Sequence, residues 1–145
     1  MLIYTFTSFP DKVSLYDIAE DVFVFSNHLK DDMERFKQLL IEKFPEHILG
    51  VAKSKGKSRY EPVAVNHFHK GTVIKGGTEE LKLWVPDSRI VGLEVASRPP
   101  RTFCNWTAYH VQSFISKELP DSTFSFLHLN PNDRTTFIEG ILTQE

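Results

Sequence analysis

Between residues 29 and 44 apolar side chains recur every three or four positions, at Leu29, Met33, Phe36, Leu39, Leu40 and Phe44, with charges between them. That period puts one apolar stripe along a helix. Ser26 or Asn27 stands where a cap belongs, and Pro45 follows the end. Such a stripe needs a partner surface, and short β-branched and aromatic runs supply one at residues 2–6, 21–25 and 47–52. A turn is expected around Pro10 and Asp11.

Further along, residues 61–68 (EPVAVNHF) predict another strand, with Pro62 where a missing N–H is tolerable. Residues 69–80 hold Gly71, Gly76 and Gly77 and predict a loop. Residues 81–85 fit a strand or a helical turn equally well, and 90–95 fit a strand. A helix is expected over 105–117, with Ala108, Val111, Phe114 and Ile115 on one face, then a strand over 124–129. Asp133 is placed to cap a last helix over 134–142. Strands interleaved with helices of ten residues or more predict one α/β layered domain, residues 1–145, around a mixed, largely parallel sheet.

Composition narrows the function classes. At 145 residues, 41% of them hydrophobic and 25% charged, the chain has material for a single core. A net charge of -2 gives no general attraction to nucleic acid or to an anionic membrane. No apolar run approaches the roughly 20 residues of a membrane helix, and the first residues lack the pattern of a signal peptide. One cysteine forms no internal disulfide, so a reducing, cytoplasmic setting is expected. The 12 phenylalanines predict an aromatic core, some of which is suited to line a pocket for a small ring.

Several motifs carry chemistry only on inspection. Gly50 to Gly56-Lys57-Ser58 resembles a phosphate-binding loop, but five residues separate the glycines where that loop needs four. Lys53, Lys55, Lys57 and Arg59 then form a solvated basic strip. His67 and His69 alternate along an extended segment without a Cys, Asp or Glu at ligand spacing, so no metal site is expected. Cys104 differs. A lone cysteine is ordinarily a small buried hydrophobe, yet this one opens a helix, where the dipole and free N–H groups favour a thiolate. His128 lies near the end of the next strand. If the strands before and after the helix are parallel neighbours, both residues reach the sheet edge where open α/β folds build their sites.

These pieces resemble a known family. Thr102-Phe103-Cys104-Asn105 with Tyr109 is similar to the nucleophile motif of pyroglutamyl peptidase I, and Phe126-Leu127-His128-Leu129 to its histidine strand. The step of 24 residues from Cys104 to His128 matches the family spacing. Gly50-Val51-Ala52 leading to Glu61-Pro62-Val63-Ala64-Val65-Asn66 resembles the segment bearing the catalytic glutamate. Phe6 and Phe9 fall where the family has two pocket phenylalanines.

The resemblance implies a phosphorylase/hydrolase-like three-layer α/β/α domain and a cofactor-free cysteine peptidase. Cys104 would attack the amide after an N-terminal pyroglutamate, with His128 as general base and Glu61 orienting the imidazole. Phe6, Phe9 and Phe103, with Val51 at the place of a family glutamine, would form the substrate-binding set. The implied partner is a small peptide with a blocked N-terminus, with neither nucleic acid nor membrane involved, and relatives allow a homo-oligomer. The chain is shorter than typical members, Lys53 to Lys57 replaces a glycine-rich turn, and Lys70 or Gly71 stands in place of an arginine. The alternative expectation is a catalytically inactive relative that binds a ligand or partner. A third is an unrelated α/β interaction domain.

Overall fold

The computed structural model describes residues 1–85, 94–95 and 102–133. In chain order they form β1 (Leu2–Phe6), α1 (Lys12–Tyr16), β2 (Asp21–Phe25), α2 (Leu29–Lys43), β3 (His47–Lys53), β4 (Arg59–Glu61), β5 (Val63–Val65), β6 (Glu80–Lys82), β7 (Glu94–Val95), α3 (Phe103–Glu118) and β8 (Thr123–Leu129), with a 3₁₀ turn at Pro131–Asp133. The main sheet has the order β2-β1-β3-β8-β4-β7. β2, β1, β3 and β8 run parallel, and β4 lies antiparallel to β8 and parallel to β7. This is the mixed, largely parallel sheet expected from the sequence.

Period-two alternation divides the strands between two buried clusters. Leu2, Tyr4, Phe6, Phe25, Ile48, Ala52, Phe124 and Phe126 face the helices α2 and α3. Ile3, Leu49, Val51, Tyr60, Leu127 and Leu129 gather on the other side with Phe9 and, from α1, Leu15. Gly50 breaks the apolar pattern for a steric reason. A Cβ there would lie 2.6 Å from the Phe126 ring and 2.6 Å from that of Tyr4, so only glycine lets these rings close over β3.

Several boundaries differ from the sequence reading. The turn at Pro10 and Asp11 is present and leads directly into a short helix, α1. Helix α2 buries Met33, Phe36 and Leu40 as expected, but it ends at Lys43. Phe44 takes a left-handed backbone (φ 45) and projects into solvent instead of extending the apolar stripe. At the other end His28 occupies the cap position without a side-chain cap bond. Ser26 does not cap because its hydroxyl and its N–H both donate to Asp32. Residues 81–85 resolve into β6 and the strand-like segment after it. The helix expected over 134–142 lies outside the described residues, while Asp133 accepts a hydrogen bond from the Ser58 hydroxyl.

The expected single strand over 61–68 is two strands in two sheets. Pro62 has no N–H to continue the ladder, so β4 stops at Glu61 and β5 turns away to pair with β6. The chain closes this excursion at its base. Leu83 N–H donates to the Pro62 carbonyl (2.9 Å), and Trp84 N–H donates to Phe124 O on β8 (2.9 Å).

Candidate active site

The pairing of β4 with β8 sets Arg59 opposite His128, Tyr60 opposite Leu127 and Glu61 opposite Phe126. Tyr60 points to the far cluster. Arg59 and Glu61 therefore share a face with Phe126 and His128, and Glu61 lies diagonal to the imidazole. His128 Nδ1–H donates to Glu61 Oε1 at 2.7 Å. The carboxylate is 2% exposed and the histidine 6%. Donation from Nδ1 leaves Nε2 with its lone pair free. The Phe126 ring supports the imidazole from one side, 5.1 Å between centroids. Glu61 Oε2 is buried and has no hydrogen-bond partner among the described residues.

Cys104 is the second residue of α3, which crosses this face of the sheet. Its placement is braced twice. Tyr4 OH donates to Thr107 Oγ1 (3.2 Å), and Thr107 Oγ1 donates to the Cys104 carbonyl (2.9 Å). The Asn105 amide holds the helix start to β5 and the residues after it, donating to Val65 O (2.8 Å) and His67 O (2.9 Å). Cys104 shares a buried cluster with Phe126 and with Ala52, the residue paired with His128 in the sheet. The thiol lies within electrostatic reach of Glu61 and Arg59, and its hydrogen-bond partner is Thr102 rather than the imidazole.

The expectation that the helix start favours a thiolate is not met. Burial pushes the Cys104 thiol up to about 11, and the negative charge of Glu61 adds to that. The Thr102 hydrogen bond, Arg59 and the backbone of the helix start pull the other way without prevailing. At neutral pH Cys104 rests as a thiol.

The expected substrate-binding residues separate into two places. Phe6 and Phe103 meet edge to face, with centroids 4.9 Å apart. They line an open cleft of about 350 Å³ together with Thr7, Ser8, Phe25 and Ser26. Phe103 is 40% exposed there. Phe9 and Val51 are buried on the opposite side of the sheet and do not reach this cleft. For Val51 the reason is parity, since it alternates with Ala52, which faces Cys104.

Two residues belong to the site that sequence reasoning did not assign to it. Arg59, expected in a solvated strip, places Nε 3.5 Å from Glu61 Oε1. The signal was available: it stands two positions before Glu61 on the same strand. Asn105 was quoted within a motif, but its role depends on a contact 40 positions away. His67 is exposed and His69 stands in a left-handed turn (φ 54). Among the described residues no group of three His, Cys, Asp or Glu side chains is placed to hold a metal. Among them too, no helix is long and apolar enough to cross a membrane.

Solved structures share this architecture. Pyroglutamyl peptidase I from Bacillus amyloliquefaciens superposes with a TM-score of 0.77 at 14% identity, covering 97% of this chain and 91% of that one. The fold is that of pyroglutamyl peptidase I. Pyrrolidone carboxyl peptidase from Thermococcus litoralis gives a TM-score of 0.71 at 16% identity, covering 88% of this chain and 74% of that chain. A mutant pyrrolidone carboxyl peptidase from Pyrococcus furiosus gives 0.74 at 15% identity, covering 99% and 86%. No protein-family profile matches the chain, and no curated protein matches it in sequence. The pyroglutamyl-peptidase fold is thus shared at identities where sequence alone carries little of the likeness.

Proposed function

We propose that this chain is a cysteine-type amide hydrolase that removes N-terminal pyroglutamate, or a related small N-terminal group, from peptides. One observation carries the reading: a buried imidazole is held by a buried carboxylate at 2.7 Å, on the face crossed by α3, whose second residue is Cys104. A structural histidine is satisfied by neutral partners, as buried His47 is by the Thr123 and Ser125 hydroxyls, whereas a carboxylate buried this deeply costs desolvation. In this reading Cys104 Sγ attacks the amide carbonyl while its proton passes to His128 Nε2. Transfer during attack suits a thiol that burial keeps protonated at rest. Glu61 holds the ring with Nε2 outward and stabilises its charged form. The imidazolium then protonates the leaving amine, and water hydrolyses the thioester. Backbone N–H groups at the start of α3 stabilise the oxyanion. The apolar walls of Phe6 and Phe103 suit an uncharged lactam ring better than a free carboxylate.

The proposal treats residues 1–145 as one domain of pyroglutamyl-peptidase type. It acts without a cofactor in the reducing cytoplasm on small peptides, as a monomer or homo-oligomer. A fluorogenic pyroglutamyl amide tests it. Wild type is expected to release the fluorophore, Cys104→Ala to release none, and Glu61→Gln to be slower by about a thousandfold. No release by wild type at high enzyme concentration would reject hydrolysis. It would leave the second reading, an inactive relative that binds a ligand or partner. The raised thiol pKa and the burial of Phe9 and Val51 away from the cleft favour that reading.

A further inference from the structure

The basic side chains between β3 and β4 do not behave alike. Lys53, Lys55 and Lys57 are exposed, whereas Arg59 is half-buried, with its guanidinium against Glu61. Its guanidinium is anchored at two points. Nη1 donates to Ser54 Oγ (2.9 Å), and Nε lies 3.5 Å from Glu61 Oε1, the same oxygen that accepts from His128. Ser54 is itself fixed, since its N–H donates to Leu129 O and its hydroxyl to Lys57 O. The cation thus stands on β4, opposite His128 of β8 in the strand register, and beside the Glu61 carboxylate. The free oxygen Glu61 Oε2 leaves that carboxylate able to accept a second guanidinium N–H.

We infer that Arg59 is a positioning residue of this site: held by Ser54, it fixes the Glu61 carboxylate against His128 and offsets that carboxylate's negative charge at the Cys104 thiol. This rests on the hydrolase reading of the same residues. The side chains that act on the thiol are Thr102 before α3 and Glu61 and Arg59 from β4, with Tyr4 from β1 within its electrostatic reach. Tyr4 is fully buried and stays neutral, its phenol pushed well above its ordinary range by burial. Glu61 raises the thiol and Arg59 lowers it. A proton leaving Sγ for His128 Nε2 creates a thiolate beside a carboxylate, and Arg59 is the fixed cation that opposes this repulsion.

The chain's single cysteine makes the test direct, because iodoacetamide can alkylate no other thiol. At pH 8 the rate follows the thiolate fraction. Arg59→Gln is expected to react about tenfold more slowly than wild type, equivalent to about one pH unit in the thiol. Arg59→Lys, which keeps the charge, should stay within about twofold of wild type, and Glu61→Gln should react faster. The direction separates electrostatics from packing. A merely structural arginine, once lost, would loosen the helix start and speed alkylation of a buried thiol. Equal or faster alkylation of Arg59→Gln would overturn the assignment. Pyroglutamyl amide hydrolysis, followed in parallel, separates this claim from the hydrolase reading. If wild type is active, kcat of Arg59→Gln should fall with KM nearly unchanged. If wild type is inactive while Arg59→Gln still alkylates slowly, the hydrolase reading fails and the electrostatic role of Arg59 stands.

Discussion

Asn105 clasps Val65 in both directions: its Oδ1 accepts the Val65 N–H at 2.9 Å, and its Nδ2 donates to the Val65 carbonyl at 2.8 Å. An asparagine amide here completes the pairing that another strand would give. The consequence is positional. The residue after Cys104 is tied to the strand that begins two residues after Glu61, so the Cys104 thiol and the Glu61 carboxylate share one mount although 43 positions separate them.

Replacing Asn105 with Ala should therefore damage stability and catalysis together. Val65 N–H and O would be left buried without partners, at a cost of about 2–3 kcal/mol. For a chain of this size the melting temperature should fall by roughly 5–10 °C. Calorimetry and the pyroglutamyl amide assay check this. A variant that melts like wild type would show that water takes over the clasp.

The thiol predicts a stability change at alkaline pH. Its pKa rises from an ordinary value of 9.0 to about 11 in the folded chain. Between those values the unfolded chain has lost the proton that the folded chain still binds, so stability falls as pH rises. The contribution is intact below pH 9 and lost by about pH 11, amounting to about 2–3 kcal/mol. Urea unfolding of wild type and Cys104→Ser across this window isolates it, because the tyrosines and lysines titrate in both. Parallel curves would place the thiol in a wetter site than its burial implies.

Gly50 predicts the cost of a single methyl group. The rings of Tyr4 and Phe126, both fully buried, stand 2.6 Å from where a Cβ would be. Gly50→Ala should lose about 2–3 kcal/mol through overpacking. Tyr4 braces Thr107 and Phe126 supports His128, so hydrolysis should weaken as well. An unchanged urea midpoint would mean that the rings can repack.

Much of this was legible in the sequence, and the exceptions have definite causes. Apolar periodicity located β1, β2, α2, β3, α3 and β8, because each buries one face of a regular element. It missed the division at Pro62, since Glu61 to Val65 reads as one apolar run whichever sheet receives each half. Glu61 and His128 could be named from motif resemblance, but their hydrogen bond depends on the antiparallel register of β4 with β8, which spacing does not determine. Arg59 keeps over a third of its side chain in solvent, yet strand parity, which a run of lysines does not show, sets its guanidinium beside Glu61. The side chain of Val51, expected at the substrate, is placed by parity as well. Parity alone sends it to the face away from Cys104.

The closed base of the excursion that begins at Pro62 has a consequence for how such a protein varies. With Leu83 returning to the Pro62 carbonyl and Trp84 taking up Phe124 on β8, the main sheet is continuous whatever lies outboard. Between Val65 and Glu80 the segment is tied back by Asn66, which bonds Val73, Ile74 and Gly77, and by Asn105 and Tyr109, which donate to His67 O and Thr78 O, so length changes are cheap only where they spare these bonds. The flap can therefore change away from those ties while Glu61, at its root, keeps its place against His128 in the main sheet.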